Sequence, residues 1–312
     1  MRVVFLGFQT WGHASLQALL GDPCHTVPLV VTHPQSSHPY EAIWADSVAD
    51  LATAAGIEVV TARSANLDGV PERIAAAAPD VLVCSDWRTW VAPEVLRLAR
   101  HGGVNIHDGF LPEYGGFAPI NWAISRGEEQ VGLTAHCMDE EFDLGDVVVQ
   151  RCLPVAPTDT ATDVARRVFA LLPAVTLEAL DRVADPGFRP VPQDRGRATF
   201  FHKRSDRDAR IDWSLPAVEV HDLVRAQSDP YPNAHARHAG RRLHVKRASL
   251  PDQAWCGTPG RVFARVGDGV VVLCGPGRDD PGQGLVLEVV QPEGGDAMPA
   301  AAWFRTMGDY LD

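Results

Sequence analysis

The stretch Gly103-Val104-Asn105-Ile106-His107-Asp108-Gly109-Phe110-Leu111-Pro112 decides how the rest of the chain is read. Val104 and Ile106 alternate with Asn105 and His107, the period of a half-buried strand, and Gly109 and Pro112 end it. Side chains two apart on an extended segment leave from one face, so Asn105 and His107 share a side of that strand. An amide donor and an imidazole placed there can hold a developing oxyanion and move a proton. Polar residues at a strand end also serve simply to hydrogen-bond the following turn. The pair alone does not decide between these readings.

Toward the C-terminus, residues 133–138 read as a second strand, 139–145 as an acidic loop and 147–150 as another strand. The carboxylates of that loop repel one another if packed together, so most of them face water. Asp143, between Phe142 and Leu144-Gly145, is the one placed to turn inward toward His107. Taken by itself the loop reads as a solvated hairpin.

Toward the N-terminus, residues 2–7, 26–32, 58–61 and 80–84 read as strands, separated by helices over 14–20, 43–55 and 67–78. This alternation predicts an α/β fold with a doubly wound, mostly parallel sheet. Ligands of such sheets bind beyond the carboxyl ends of the strands, where Ser85 and residues 105–108 fall. Gly7 and Gly12 flank the first strand-to-helix turn but lack the Gly-x-Gly-x-x-Gly spacing, so the turn is read as one without a phosphate. Trp87 and Trp90, in the loop after the fourth strand, either wall a site for a flat ring or cover the sheet end.

A helix is expected over 117–126, before the acidic loop, and another beyond it after the cap Thr158-Asp159-Thr160, running to about residue 185, with Pro173 splitting or kinking it. The Pro- and Gly-rich stretch that follows is a linker by composition. A helix over 217–227 and short strands around 234–238, 242–248, 260–265, 269–274 and 285–290 then predict a small open β-barrel. The expected boundaries are 1–188 for the first domain, 189–205 for the linker and 206–312 for the second.

The chain of 312 residues is long enough for two cores. Its first apolar run, ended by Gly7, is too short for a signal peptide or a membrane span. Six scattered cysteines without a Cys-x-x-Cys argue against a zinc site or a disulfide framework and fit a reducing cytoplasm. A net charge of −12 is unfavourable for binding nucleic acid.

The motifs Asn105-x-His107, Leu111-Pro112-x-x-x-Gly116, Pro119-Ile120-x-Trp122-Ala123 and Asp143-x-Gly145-Asp146 resemble those of the folate-dependent formyltransferases, over nearly the whole chain. The resemblance implies a catalytic set of Asn105, His107 and Asp143. It also implies a formyltransferase fold, Rossmann-like and followed by an OB-like barrel, with 10-formyltetrahydrofolate as co-substrate and no metal. It places Trp87, Trp90, Val91, Cys137, Asp139, Glu141 and Asp143 beside the pterin.

Formyl transfer to nitrogen requires an oxyanion donor and a proton carrier. A positioned amide contributes about 10²–10³ in rate, and a positioned imidazole about 10²–10⁴. A carboxylate beside the imidazole sets its tautomer. The acceptor is less sharply marked. Residues 32–51 and 86–90 look like those of the hydroxyornithine formyltransferases of siderophore biosynthesis, so N5-hydroxyornithine is the expected acceptor. Arg88 is the expected partner of its carboxylate and Glu41, Asp46 or Asp108 of its ammonium, with Tyr40 a further candidate for substrate contact. Charge supports a small acceptor: residues 1–200 carry 14 Lys+Arg against 25 Asp+Glu, and residues 201–312 carry 14 against 15. Methionyl-tRNA and sugar-nucleotide amines are the alternative acceptors, with local basic clusters at 203–210 and 241–247 available to the former. A non-catalytic formyl-folate binder has no need of the complete catalytic set. The sequence leaves the oligomeric state open.

Overall fold

The computed structural model describes residues 1–39, 42–277 and 282–312. Two compact units form, one from Met1–Pro119, Gln130–Pro154 and Ala165–His202, the other from Ile120–Glu129, Val155–Val164 and Lys203–Asp312.

In the first unit the strands are β1 (Arg2–Gly7), β2 (Thr26–Thr32), β3 (Glu58–Thr61), β4 (Val81–Ser85), β5 (Gly103–His107), the two-residue β6 (Gly115–Gly116), β7 (Gln130–Cys137) and β8 (Val147–Pro154). Seven of them make one sheet in the order β3-β2-β1-β4-β5-β7-β8. The first five in that order pair in parallel, and β7 and β8 close the edge antiparallel. The central strands read as continuous apolar runs because both their faces are covered: Val3, Val4, Phe5 and Leu6 are fully buried, as are Val81 and Leu82. The strand order reverses between β1 and β4, which opens a crevice at their carboxyl ends. β6 pairs in parallel with β9 (Phe200–Phe201), which ties the chain after β5 in place.

The helices depart from expectation at their ends. The helix expected over 43–55 is confined to Val48–Ala54, because Ser47 caps it by accepting the Asp50 N–H at 3.0 Å. The first helix starts early, as Gln9–Gly21, the third is shortened to Val70–Ala76, and that expected over 117–126 is Pro119–Ser125. Pro173 does not split its helix, which is assigned without a break as Ala161–Ala184. Leu172, Val175, Ala179 and Leu180 are buried along it, and that packing outweighs the lost backbone bond.

The second unit carries the helix Ala217–Ala226 and the strands β10 (Ala234–His238), β11 (Arg241–Ser249), β12 (Val262–Val266), β13 (Gly269–Leu273) and β14 (Gly284–Pro292). They run antiparallel in the open order β10-β11-β14-β13-β12, around a core that includes Trp213, Val220, Leu243, Val272, Leu287 and Phe304. This is the small β domain expected after an α/β domain. Among the described residues no helix is long and apolar enough to cross a membrane.

Candidate active site

Strand register builds the site. On β5, Asn105 pairs with Cys84 of β4 on one side and with His136 of β7 on the other. His107 pairs with Thr134. Asn105 and His107 leave the same face, and both meet one carboxylate: Asn105 Nδ2 is 3.4 Å from Asp143 Oδ1, and His107 Nδ1 is 4.0 Å from Asp143 Oδ2.

Asp143 is the inward member of the acidic loop, only 5% exposed, with a left-handed backbone at φ +56°. Its Oδ2 accepts the Gly116 N–H at 2.8 Å. Gln193 Nε2 donates to the Asp143 and Gly145 carbonyls at 3.0 and 2.6 Å, which fixes the loop from outside. Gly145 is required for closure, since a Cβ there would stand 1.8 Å from Cys137 O. Burial by itself would raise the Asp143 carboxyl. The His107 and His136 rings, when they carry charge, and the Gly116 N–H hold it well below the usual carboxylate range. Glu140 and Glu141 face solvent, as expected of the rest of the loop.

His107 is turned by its far nitrogen. Nε2 lies 2.9 Å from Tyr114 O, and a carbonyl can only accept, so Nε2 carries a proton and Nδ1 faces Asp143. Gly109 makes room for this bond: a Cβ at that position would lie 2.5 Å from both His107 Nε2 and Tyr114 O.

Trp87, Trp90, Val91, Asp139, Glu141 and Asp143 line one cleft with Asn105 and His136, partly open to solvent. Trp87 is buried and stacks on His33 with centroids 4.0 Å apart, while Trp90 is half-exposed and donates from Nε1 to Glu140 O at 3.1 Å. Trp87 Nε1 and Thr89 Oγ1 are buried at this cleft without a hydrogen-bond partner among the described residues. Two unpaired polar atoms beside an aromatic wall suit a flat, hydrogen-bonding ring such as a pterin. Cys137, expected among these residues, does not line the cleft. It follows His136 on an alternating strand, so its side chain leaves from the opposite face.

The expected acceptor contacts are less free than the sequence suggests. Arg88 is held by Asp86 at 3.1 Å and by Gln9 Oε1 at 2.7 Å, and its guanidinium lies over the Phe8 ring. Burial pushes the Asp86 carboxyl up to about 6 against the pull of Arg88. Burial likewise raises the Asp108 carboxyl, against the pull of the adjacent His107. Tyr40 and Glu41 lie outside the described residues.

The residue that the sequence leaves unassigned is His136. It is 2% exposed, its Nε2 lies 3.2 Å from Asn105 Nδ2 and 3.4 Å from Asp143 Oδ1, and its Nδ1 lies 2.8 Å from Cys137 O. In the sequence it is one polar residue in a strand. Only the pairing of β5 with β7 reveals its neighbour.

Comparison with known proteins is consistent along the whole length. Residues 1–180 match the family model described as formyl transferase, and residues 203–308 that described as formyl transferase, C-terminal domain. A methionyl-tRNA formyltransferase of Desulfotalea psychrophila is 30% identical over 303 residues, covering 97% of this chain and 92% of its own. Among solved structures, HypX from Aquifex aeolicus in complex with tetrahydrofolic acid superposes with a TM-score of 0.57 at 22% identity, over 97% of this chain and 46% of that one. The chain therefore spans about half of HypX. An N-formyltransferase from Helicobacter canadensis, in complex with folinic acid and dTDP-3-aminofucose, gives a TM-score of 0.65 at 16% identity, over 91% of this chain and 98% of that one.

Proposed function

The chain belongs to the formyl transferase family, and from that premise we propose that it moves the formyl group of 10-formyltetrahydrofolate onto an acceptor nitrogen, using Asn105, His107 and Asp143. The observation that carries this reading is the convergence of amide, imidazole and carboxylate within 3.4 and 4.0 Å at the edge of an aromatic cleft with unpaired polar atoms.

The co-substrate supplies a formyl carbon already bonded to nitrogen. The acceptor nitrogen forms a bond to that carbon, the old carbon–nitrogen bond breaks, and one proton passes from the acceptor to the departing folate nitrogen. Asn105 Nδ2 is placed to donate to the carbonyl oxygen as charge develops on it, a contribution of about 10²–10³ in rate. His107, with Nε2–H committed to Tyr114 O, offers Nδ1 for the proton. Asp143, kept ionised, stabilises the imidazolium that then forms.

Two acceptors compete. The relatives' names favour methionyl-tRNA and give no support to N5-hydroxyornithine. The chain's own charges favour the small acceptor. Residues 1–200 contain no lysine and a large acidic excess, whereas a tRNA needs several cations on its phosphates. Three cations of the basic clusters in the second unit are already in ion pairs: Arg242 with Asp206, Lys246 with Asp229 and Arg247 with Glu288.

The test is a formylation assay with formyl-tetrahydrofolate and a panel of N5-hydroxyornithine, ornithine, an amino-sugar nucleotide and charged initiator tRNA, at low and high salt. The highest specificity constant on hydroxyornithine with a weak salt dependence supports the small acceptor. The highest on tRNA with a steep salt slope supports the tRNA acceptor. Tight folate binding with no turnover on any amine would leave only a binding protein and overturn the enzymatic reading.

A further inference from the structure

We propose that His136 is a positioning residue that decides which end of the Asn105 amide faces the reacting centre, an inference that rests on the role given to Asn105 above. The ring nitrogen far from Asn105 sets the tautomer. His136 Nδ1 lies 2.8 Å from Cys137 O, which can only accept, so Nδ1 carries the proton. In the neutral ring Nε2 is then a bare lone pair, and its 3.4 Å approach to Asp143 Oδ1 becomes a hydrogen bond only when the ring is charged. Nε2 lies 3.2 Å from Asn105 Nδ2 and takes one of the two amide hydrogens. Reversing the amide would set its oxygen against that lone pair.

The second amide hydrogen faces Asp143 Oδ1 at 3.4 Å, a longer contact and the easier one to surrender to a carbonyl oxygen that is gaining charge. His136 thus keeps the donor aimed while Asp143 is engaged with His107. The backbone is built for this: His136 stands directly opposite Asn105 across β5 and β7, and the β7–β8 ladder breaks register between Ala135 and His136, a bulge of the kind that re-aims a side chain.

His136→Leu and His136→Gln separate this role from packing, since a glutamine Oε1 can accept the same hydrogen and leucine cannot. The leucine variant is expected to lose about 10- to 100-fold in kcat, less than the 10²–10³ for removing an oxyanion donor outright, with KM for formyl-tetrahydrofolate within about twofold. Glutamine should recover kcat to within about threefold of wild type. The double variant Asn105→Ala/His136→Leu should be no slower than Asn105→Ala, because both changes remove one function. Imidazole ¹⁵N NMR of the wild type should show a proton on Nδ1 and none on Nε2, a reading that does not depend on any variant folding.

Wild-type kcat in the leucine variant overturns the proposal. So does a glutamine variant as slow as leucine, a fully additive double variant, or the opposite tautomer. Full activity in Asn105→Ala would instead overturn the role of Asn105 on which the proposal rests.

Discussion

Asp143 Oδ2 stands 4.0 Å from His107 Nδ1, while the other nitrogen of that ring is bonded to Tyr114 O at 2.9 Å. The carboxylate therefore acts on a ring that cannot turn away from it. Asp143→Asn keeps an oxygen for the Gly116 N–H but removes the charge that stabilises an imidazolium. Its kcat is expected to fall by about 10²–10⁴, the range for loss of positioned acid–base catalysis, with thermal stability retained. Steady-state kinetics on the preferred acceptor, with a melting curve, check this; near-full turnover would remove Asp143 from the mechanism.

Glycine substitutions test the loop geometry independently of chemistry. Alanine at Gly145 would put its Cβ 1.8 Å from the Cys137 carbonyl, backbone against backbone. Gly145→Ala is expected to cost about 1–3 kcal/mol or more, the range for overpacking. Gly109→Ala meets His107 Nε2 and Tyr114 O, each at 2.5 Å, so it should lower kcat more than stability. Denaturant unfolding set beside kinetics separates the two, and equal stability of Gly145→Ala and wild type would contradict the close approach.

Folate occupancy should be visible in tryptophan emission. Trp87 and Trp90 line the cleft, one buried and one half-exposed. Saturation with a non-reactive formyl-folate analogue is expected to change the emission, and the change should shrink in Trp90→Phe and in Trp87→Phe. Calorimetric saturation with no change in fluorescence would place the ring elsewhere.

Acid should act on the same loop through two opposed groups. Burial, aided by Arg88, lowers the His33 imidazole from 6.5 to about 4. Between those values the unfolded chain binds a proton that the folded chain does not, so stability falls as pH drops through that window. Asp86, raised from 3.8 to about 6, binds its proton first in the folded state, so acidification through its window stabilises. His33→Phe removes only the first effect. Its Tm relative to wild type is expected to rise as pH falls from about 7 to about 5. A Tm difference independent of pH would show that His33 is not held neutral.

How much of this was legible in the sequence follows from which contacts are local. The alternation of Val104, Asn105, Ile106 and His107 sets two candidate catalytic side chains on one face without any long-range information. The inward turn of Asp143 was legible from its apolar neighbours, because a crowded set of carboxylates can bury one member only with partners. His136 was not legible. Its part depends on Asn105 lying opposite it, and no periodicity within either strand gives that register. Cys137 does not line the cleft, and the strand alternation that turns it from His136 was itself available in the sequence. The helix limits failed at Ser47, whose capping side chain was itself a readable stop.

Two rings, His107 and His136, each give an outward N–H to a backbone carbonyl, at Tyr114 and at Cys137. Neither can turn over without leaving both a backbone carbonyl and a ring nitrogen unmatched. The orientation of the pocket is thus settled when the chain folds and need not be found again at each turnover. Such a catalyst meets its barrier mainly as enthalpy. An Eyring plot of the chemical step should show a small entropy of activation, and loosening either ring should shift the loss onto the entropic side.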